Sequence, residues 1–365
     1  MKIAQIAPLA ERVPPKLYGG TERIVSYLTE ELVRLGHEVT LFASGDSLTA
    51  AELVPCCDMA LRLNPAVRDH TPYYMIMLDA VRRMASQFDV LHFHIDALHF
   101  PIVRSFSGKT VTTLHGRQDL PDLGPLNSAF PDIPRVSISD GQRAFLPPAV
   151  TWAGTVRHGI PGSLYPFNPL PNGGYLAFLG RISPEKRPDR AIEIAVRAGL
   201  PLKIAAKVDR ADEAYWSGVV APLIASHPNV EFVGEIDGHG AADFLGNATA
   251  LLFPIDWPEP FGLVMIEAMA CGTPVIAFRA GSVPEVVDHG VSGFIVDSVD
   301  EAVAAVRRVQ GLDRAQVRRA FDRRFTAERM TRDYLSIYET LPGLRAPVRR
   351  RQPGTEAGVV LRAPV

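Results

Sequence analysis

The feature that most constrains the fold of this chain is a regular alternation of short apolar runs with amphipathic segments of helical length. Such alternation is typical of a parallel β-sheet whose strands are connected by helices. Together these segments predict one α/β domain in the first half of the chain. It has strands over residues 2–7, 39–43, 90–93, 110–114 and 135–138, and helices over residues 22–35 and 75–87.

A second α/β domain is predicted because the alternation stops and then begins again. Residues 159–174 are rich in Pro, Gly and Asn, which favours a connector rather than a helix or strand. Two such domains imply a cleft between them, with ligands bound at the carboxyl ends of the strands. The second domain has predicted strands over 175–179, 202–206, 230–233, 250–254 and 274–277, and helices over 188–198, 214–225, 241–245 and 262–270.

The domain boundaries follow from this pattern. The first domain is expected to cover residues 1–158 and the second residues 159–326, and both resemble Rossmann-type α/β units. A helix over residues 327–344 is expected to return toward the first domain. Residues 345–365 carry three consecutive arginines, several Pro and Gly residues and few large apolar side chains, so they are predicted to form a disordered tail.

Composition and charge exclude several classes of function. A net charge of -2 gives no global attraction to nucleic acid, and no apolar run approaches the length needed to span a bilayer. The three cysteines, two of them adjacent, fit neither a disulfide framework nor a zinc site. The first residues are predicted to form a buried strand rather than a signal peptide, so the protein is expected to be cytoplasmic.

Two glutamates eight positions apart mark the predicted cleft edge of the second domain. Glu259 lies in the loop after the strand at residues 250–254, and Pro260 disfavours helical geometry at Glu259. Gly262 stands where the next helix begins, and Glu267 lies about one and a half turns into that helix. Exposed amides near Gly262 and Leu263, aided by the helix dipole, suit a diphosphate.

A basic pair is predicted in a neighbouring loop. Arg181 and Lys186 follow the strand at residues 175–179 directly. Arginine can hold a phosphate through two parallel hydrogen bonds, while lysine adds a compact positive charge. We therefore expect both side chains to bind the same anion.

The loop after the first strand is a further candidate. Gly19 and Gly20 let the backbone approach a ligand closely, and Thr21 can cap the helix that follows. The loop lacks the third glycine of the dinucleotide-binding motif, so it does not predict a dinucleotide site.

Histidines lie near the ends of two first-domain strands. His115 ends the strand at residues 110–114, where it can face the cleft. His92 and His94 lie two residues apart on another strand, and such a pair could bind a metal ion. Because no third ligand is apparent, they are expected to be core or rim histidines.

Taken together, these motifs resemble those of the family 4 glycosyltransferases, also described as glycosyl transferases group 1. The resemblance runs from Lys2 to about Leu341 and is most specific over residues 180–296. It implies the GT-B architecture, in which two Rossmann-like α/β domains face each other across a cleft. It also implies that the enzyme retains the configuration of the donor sugar.

The resemblance departs from the family pattern at three positions. His158 stands where the family has an asparagine, and Pro161 stands where it has an aspartate. Ala280 replaces the first glycine of a Gly-Gly-x-x-Glu loop. No function is assigned to these positions.

The resemblance implies a role for each matched residue. Glu259 would contact the donor sugar hydroxyls, Glu267 the ribose, and His115 the transferring sugar. Arg181 and Lys186 would hold the diphosphate, which a metal ion does in other transferases, so no metal or other cofactor is expected. The implied catalytic residues are Glu259, His115, Arg181 and Lys186, and the implied donor-binding residues are Gly20, Arg181, Lys186, Glu259, Phe261, Gly262, Leu263, Val264 and Glu267.

The sequence thus predicts a retaining hexosyltransferase that uses a nucleotide-diphosphate sugar and works by front-face substitution. UDP-glucose or a related UDP-sugar is the expected donor, with GDP-mannose second. The alternatives are a nucleotide-sugar epimerase, a phosphorylase, for which no pyridoxal-binding lysine is recognisable, and a non-catalytic nucleotide-sugar-binding protein. The acceptor stays open among a small molecule, a lipid and a glycan, and a lipid would bring the enzyme to a membrane surface without spanning it.

Overall fold

The computed structural model describes residues 1–16 and 19–345 as two parallel β-sheets with helices packed on their faces. The strands of the first sheet are β1 (Lys2–Ile6), β2 (Glu38–Ser44), β3 (Glu52–Cys57), β4 (Val90–Phe93), β5 (Thr110–Thr113), β6 (Arg135–Ser137) and β7 (Trp152–Thr155). The strands of the second sheet are β8 (Leu176–Ile182), β9 (Leu202–Val208), β10 (Val230–Gly234), β11 (Ala250–Phe253), β12 (Val275–Phe278) and β13 (Gly293–Val296).

Helices connect these strands and form the C-terminal part of the described chain. In the first half they are α1 (Gly20–Arg34), α2 (Thr71–Met84), α3 (Phe100–Val103), α4 (Leu123–Ala129) and α5 (Asp140–Arg143). In the second half they are α6 (Pro188–Ala198), α7 (Glu213–Tyr215), α8 (Ala221–Ser226), α9 (Gly238–Gly246), α10 (Leu263–Ala270) and α11 (Val283–Val286). The last helices are α12 (Val299–Arg308), α13 (Arg314–Arg324), α14 (Ala327–Thr340) and α15 (Pro342–Arg345).

Short helical turns complete the connections. A π-helical turn at Trp216–Val220 joins α7 to α8. Turns of 3₁₀ helix lie at Leu61–Leu63, Ala85–Gln87, Arg104–Lys109, Arg210–Asp212 and Val309–Gly311. Over residues 1–16 and 19–345, no helix combines the length and the apolar character that a bilayer crossing requires.

The two sheets share one kind of strand order. The first runs β3-β2-β1-β4-β5-β6-β7 and the second β10-β9-β8-β11-β12-β13, with parallel pairing in both. In each sheet the chain adds strands on one side of its initial strand and then crosses to the other side. The crossings fall between β1 and β4 and between β8 and β11. Open α/β sheets bind ligands outside the carboxyl ends of the strands at such a crossing.

The core of each half lies between its sheet and the helices on both faces. All residues of β4, β5, β11, β12 and β13 are buried, as expected for parallel strands that helices cover on both sides. Helix α10 is also interior, because every residue from Met265 to Ala270 is buried. A charged side chain on α10 is therefore buried and needs an oppositely charged partner to offset the cost of its burial.

The long C-terminal helix α14 packs against α1 in the first half of the molecule. Its Tyr334 and Tyr338 are fully buried and reach polar groups of the first sheet. The Tyr338 hydroxyl lies 2.7 Å from Nδ1 of His92, and the Tyr334 hydroxyl lies 2.9 Å from Oγ1 of Thr113. Side chains from the end of the described chain thus complete the interior of the first sheet.

Most predicted elements are present, with shifts of a few residues at their ends, but some were missed. Strand β3 is a half-exposed edge strand interrupted by Pro55, which weakens its pattern. Strands β7 and β13 were also missed, because each contains a glycine that weakens its short apolar run. The short helices α3, α4, α5 and α11 were also missed.

Three local predictions need correction. The strand predicted at residues 175–179 extends to Ile182, so Arg181 lies on β8 rather than in a loop. Thr21 does not cap α1, because Gly19 occupies the N-cap position and no side chain caps the helix. The predicted tail starts at Arg345, which instead ends α15; the rest of the tail, residues 346–365, lies outside the described residues.

Candidate functional site

One cavity of about 510 Å³ collects every residue assigned to the site from the sequence. The first half of the chain contributes Gly20 and His115 to its lining. The second half contributes Arg181, Lys186, Glu259, Phe261, Gly262, Leu263, Val264 and Glu267. The cavity therefore lies where the carboxyl ends of the two sheets face each other, as their strand orders predict.

Glu259 and Lys186 are paired with each other in this cavity. The Lys186 ammonium donates a hydrogen bond to Oε2 of Glu259, and both side chains are largely buried. The ammonium also lies 5.1 Å from the centre of the Trp257 ring, a cation–π distance. A ligand that binds here meets a carboxylate and a cation held at fixed positions.

The loop that carries Glu259 is held from behind by residues 280–282. The Ser282 amide donates to the Glu259 carbonyl oxygen at 3.0 Å, and its hydroxyl donates to the Phe261 carbonyl oxygen at 2.8 Å. Gly281 has φ +51°, and a Cβ there would lie 2.3 Å from the Glu259 carbonyl oxygen. Packing therefore requires glycine at residue 281. The position that departs from the family pattern is the one before it, Ala280.

The start of helix α10 forms the floor of the cavity. Gly262 is its N-cap residue with φ +76°, and no side chain caps the helix. A Cβ on Gly262 would lie 2.8 Å from Cε of Met265 and 2.9 Å from Cζ of Phe253. The uncapped first turn can offer backbone amides and the positive end of the helix dipole to an anion. Across the cavity, Gly20 approaches Leu263, because a Cβ on Gly20 would lie 3.6 Å from Cδ1 of Leu263.

Glu267 connects the two halves of the molecule. It is 4% exposed within α10, and Arg23 of α1 donates a hydrogen bond from Nη1 to its Oε1 at 2.7 Å. A carboxylate is buried at acceptable free energy only when it is paired. The carboxylate assigned to the ribose is thus also a structural contact between α10 and α1.

Arg181 lies among carboxylates, which the sequence did not predict. Its guanidinium is 3.4 Å from Glu185, 3.6 Å from Asp212 and 3.9 Å from Asp209. Asp209 and Asp212 follow β9, the strand that pairs with β8 beside Arg181. Arg181 lines the cavity as predicted, but its charge is partly offset, and Lys186 is bound to a different carboxylate.

Arg117 was missed from the sequence and forms an ion pair with Glu185, which comes from the other half of the chain. It donates from Nη1 to Oε1 of Glu185 at 2.7 Å and also binds Asp119. Its guanidinium lies 5.2 Å from the centre of the Trp257 ring, the ring that Lys186 also approaches. No local signal could have identified Arg117, because Glu185 and Trp257 come from the other half of the chain.

The first-half side of the cavity carries neutral imidazoles. Burial lowers the pKa of His115 to about 3 and holds the pKa values of His94 and His158 well below the usual range. His158, to which the sequence assigned no function, lines the cavity with its ring centre 5.2 Å from that of His115. All three rings are therefore uncharged near pH 7.

His92 on β4 and His94 just after it are both buried, as expected for core histidines. His92 is fully buried, and its Nε2 lies 2.7 Å from Oγ1 of Thr113. In the part of the chain that the structure describes, no three His, Cys, Asp or Glu side chains are grouped as metal ligands.

Glu22, next to the glycine loop, is the acidic group on the first-half side of the cavity. Burial raises the pKa of its carboxyl to about 7, while the Arg62 guanidinium acts in the opposite direction. The carboxyl is therefore about half protonated near neutral pH.

Two family models match the chain, one in each half. The model "Glycosyltransferase Family 4" matches residues 18–147, and the model "Glycosyl transferases group 1" matches residues 167–321. Between them they include residues from both walls of the cavity.

Curated relatives match the chain over different lengths. A phosphatidyl-myo-inositol mannosyltransferase of Mycolicibacterium smegmatis is 27% identical over 386 aligned residues, which cover 94% of this chain and 95% of the relative. An N-acetyl-alpha-D-glucosaminyl L-malate synthase of Bacillus anthracis is 33% identical over 117 residues, which cover only 30% of either chain.

Solved structures share the fold. The sucrose-phosphate synthase of Thermosynechococcus elongatus superposes with a TM-score of 0.74 at 20% identity, over 93% of this chain and 98% of the other. Anabaena HepE, solved with UDP-glucose, gives a TM-score of 0.68 at 18% identity, over 93% and 100% of the two chains. At such identities the likeness shows the fold alone, and it confirms the predicted GT-B architecture.

Proposed function

This chain belongs to the group 1 glycosyl transferases of family 4 and is a glycosyltransferase, and we propose that it transfers a hexose from a nucleotide-diphosphate sugar to an acceptor hydroxyl with retention of configuration. UDP-glucose is the leading donor and GDP-mannose the second. The fold shared with a protein that binds UDP-glucose supports the first, and the name of the mannosyltransferase relative supports a mannosyl donor.

The observation that carries the proposal is the single cavity lined by both halves of the chain. It combines the uncapped start of α10, two cations and a buried carboxylate with a neutral histidine on the opposite wall. A diphosphate fits the helix start, because amide donors and the helix dipole favour anions there. The hexose would then extend from Gly262 toward Glu259 and His115.

The proposed step is a front-face substitution. The bond between the anomeric carbon and the diphosphate oxygen breaks, and the acceptor oxygen forms its bond on the same face of the sugar. The acceptor proton passes to the departing diphosphate oxygen, so the nucleoside diphosphate leaves and no separate base is required. Positive charge that develops on the sugar ring would be stabilised by the Glu259 carboxylate.

Lys186 would change partners when the donor binds. In the structure described here its ammonium binds Glu259, and a diphosphate at the start of α10 offers it a second anion. That change would release Glu259 to accept hydrogen bonds from sugar hydroxyls. Lys186 and Arg181 together would stabilise the leaving diphosphate, and we therefore propose that no metal ion is required.

Calorimetric titration tests donor binding directly. We expect UDP and UDP-glucose to bind in the presence of EDTA, with GDP and GDP-mannose weaker. Lys186→Ala should weaken UDP binding by about 10- to 100-fold, because a hydrogen bond between charged groups contributes about 1.5–3 kcal/mol. Lys203→Ala removes a partly exposed lysine of the same half that does not line the cavity, and it should leave UDP affinity unchanged.

Turnover and its stereochemistry form the second arm of this test. Proton NMR of the product made from an α-linked donor should show an α-glycosidic bond. A β-linked product would contradict retention. Conversion of the donor to an epimer without transfer would favour the epimerase instead, and absence of binding to every nucleotide would overturn the assignment of the cavity.

A further inference from the structure

Three polar side chains form a row across neighbouring strands beneath the cavity. Gln5 lies on β1, His94 follows β4 directly, and His115 lies just after β5, and these three strands are adjacent in the sheet. Nε2 of His94 lies 2.7 Å from Oε1 of Gln5, and Nδ1 of His94 lies 2.8 Å from Nε2 of His115. The row therefore leads from the sheet interior to a residue that lines the cavity.

The orientation of the Gln5 amide sets the direction of these hydrogen bonds. Nε2 of Gln5 lies 3.3 Å from the Tyr338 hydroxyl, while its Oε1 faces His94 at 2.7 Å. A contact of 3.3 Å is close to the N–H···O range but too long for a typical O–H···O bond. The contact of 2.7 Å fits N–H···O. Both distances favour an amide that accepts from His94 and donates to Tyr338.

The proton positions on both imidazoles follow from that orientation. His94 donates from Nε2 to Gln5, so its Nδ1 carries a lone pair, since a neutral imidazole has one N–H. That lone pair accepts a hydrogen bond from Nε2 of His115. Nδ1 of His115 is then an acceptor as well, and it is buried without a hydrogen-bond partner in residues 1–16 and 19–345.

The neighbourhood favours neutral rings throughout this row. His115 is surrounded by the imidazoles of His92, His94 and His158, and burial lowers the pKa of each of them well below its usual range. No carboxylate contributes to the pKa of His115, and burial alone accounts for its lowered value. The row therefore transmits hydrogen-bond direction rather than charge.

We propose that Gln5 and His94 are positioning residues that hold His115 as its Nε2–H tautomer, so that Nδ1 accepts a hydrogen bond from a hydroxyl group of the sugar in the cavity. This inference rests on the proposed transfer of a hexose. A hydroxyl is the ligand that fits, because it can donate to an unprotonated ring nitrogen. A phosphate oxygen or the ring oxygen of a sugar has no hydrogen to donate, so neither could form a hydrogen bond with Nδ1 of His115.

Nitrogen-15 NMR of the histidine side chains tests the tautomer in the protein without any ligand. We expect His115, assigned by comparison with His115→Asn, to show an unprotonated Nδ1 and a protonated Nε2. A protonated Nδ1 would overturn the proposal, because the row would then run in the opposite direction. This measurement needs no donor or acceptor, so it stands even if the proposed function fails.

A pair of substitutions at His94 tests the consequence for turnover. Asn can place its Oδ1 near the position of the histidine Nδ1 and keep the acceptor for His115, whereas Leu removes it. We expect His94→Leu to lower kcat about 10- to 100-fold, by analogy with the loss of a hydrogen-bond partner that orients a metal-bound histidine. His94→Asn should recover most of that loss, and both variants should bind UDP as tightly as the unaltered protein.

The same two variants separate positioning from folding. Thermal unfolding of each should be cooperative, and the NMR spectrum of His94→Leu should show His115 shifted toward the Nδ1–H tautomer. Equal kcat for the Leu and Asn variants, or an unchanged His115 tautomer in the Leu variant, would overturn the proposal. A protein with the expected tautomer that transfers no sugar to any acceptor would instead refute the proposed function.

Discussion

The two walls of the cavity differ in the side chains that they present around the proposed sugar site. The first-half wall places neutral imidazoles, whose protons are set by a row of hydrogen bonds, beside Glu22, Arg23 and Arg62. The second-half wall carries charged groups: Lys186 bound to Glu259, Arg181 among carboxylates, and the start of α10. One wall is thus suited to orient uncharged hydroxyls, and the other to hold a diphosphate.

This difference shows how two sheets of the same topology divide one task. Each offers the carboxyl ends of its strands beside its crossing point, so the position of the site is common to both. The residues that follow the strands differ: His94 and His115 follow β4 and β5, whereas Glu259 follows β11. Function is therefore set by strand-end residues rather than by the fold.

The largest expected effect comes from removing charge on the second wall. Glu259→Gln keeps the size of the side chain but not its negative charge, so it should lower kcat at least about 100-fold. UDP affinity should change far less, because Glu259 is expected to contact the sugar. Steady-state kinetics with the donor found by calorimetry, combined with UDP titration, measures both quantities.

A matched control distinguishes this effect from a general loss of charge. Glu193→Gln removes an exposed carboxylate on α6 that pairs with Arg197 at the surface, and it should leave kcat unchanged. If Glu259→Gln also retained full activity, the second wall would not act through the charge of Glu259, and the contrast between the walls would fail.

An intermediate effect is expected where the two walls are joined. Arg23→Met removes the partner of the buried Glu267 carboxylate and should lower the free energy of unfolding by about 2–3 kcal/mol. This value is below that of a fully buried pair, because Arg23 is 25% exposed. Urea unfolding measures the loss, and adding Glu267→Gln should recover part of it.

The control for this pair is a surface ion pair of the same kind. Arg82→Met breaks the contact with Asp79 on α2 and should change stability by no more than about 0.5 kcal/mol. Equal losses for Arg23→Met and Arg82→Met would show that the contact between α1 and α10 is no stronger than an exposed pair.

The smallest effect expected is a change in the pH dependence of stability. Burial holds the pKa of His158 well below its unfolded value of about 6.5, so the folded protein binds fewer protons than the unfolded chain. The contribution of His158 to the free energy of unfolding is therefore complete above about pH 6.5. It is lost as pH falls below that value, by up to about 1.4 kcal/mol per pH unit for each such histidine. His158→Asn should reduce that slope by about 1 kcal/mol per pH unit.

Urea unfolding of both proteins between pH 6.5 and 5 measures this difference. Glu22, whose raised pKa of about 7 acts in the opposite direction, is present in both proteins and does not affect the comparison. The control is His70→Asn, which makes the same substitution at a histidine that does not line the cavity. An unchanged slope in His158→Asn would show that the first wall does not hold that imidazole neutral.

The sequence predicted the parts of the site that are local. Glu259, Gly262 and Glu267 lie within nine residues, and the spacing alone indicated a loop followed by a helix start. The alternation of apolar runs also predicted most strands, because parallel strands are buried on both faces and give continuous apolar segments. Short or edge strands, such as β3 and β13, lack that signal.

What the sequence did not predict depends on strand order. The carboxylates of Asp209 and Asp212 reach Arg181 only because β9 pairs with β8. The row from Gln5 to His115 exists only because β4 lies between β1 and β5. These contacts join residues that are far apart in the chain, so the spacing of residues within the sequence does not predict them.

The large separation in sequence between Tyr338 and the first sheet has a consequence during synthesis. Gln5 and His92 on the first sheet receive their hydrogen-bond partner from α14, roughly 180 residues after β7 completes that sheet. At ~5–20 residues per second, the ribosome takes roughly 10–40 s to make the intervening chain. During that time the interior of the first half has exposed polar groups that α14 later covers, so a nascent chain interrupted before residue 338 would be a substrate for chaperones or proteases.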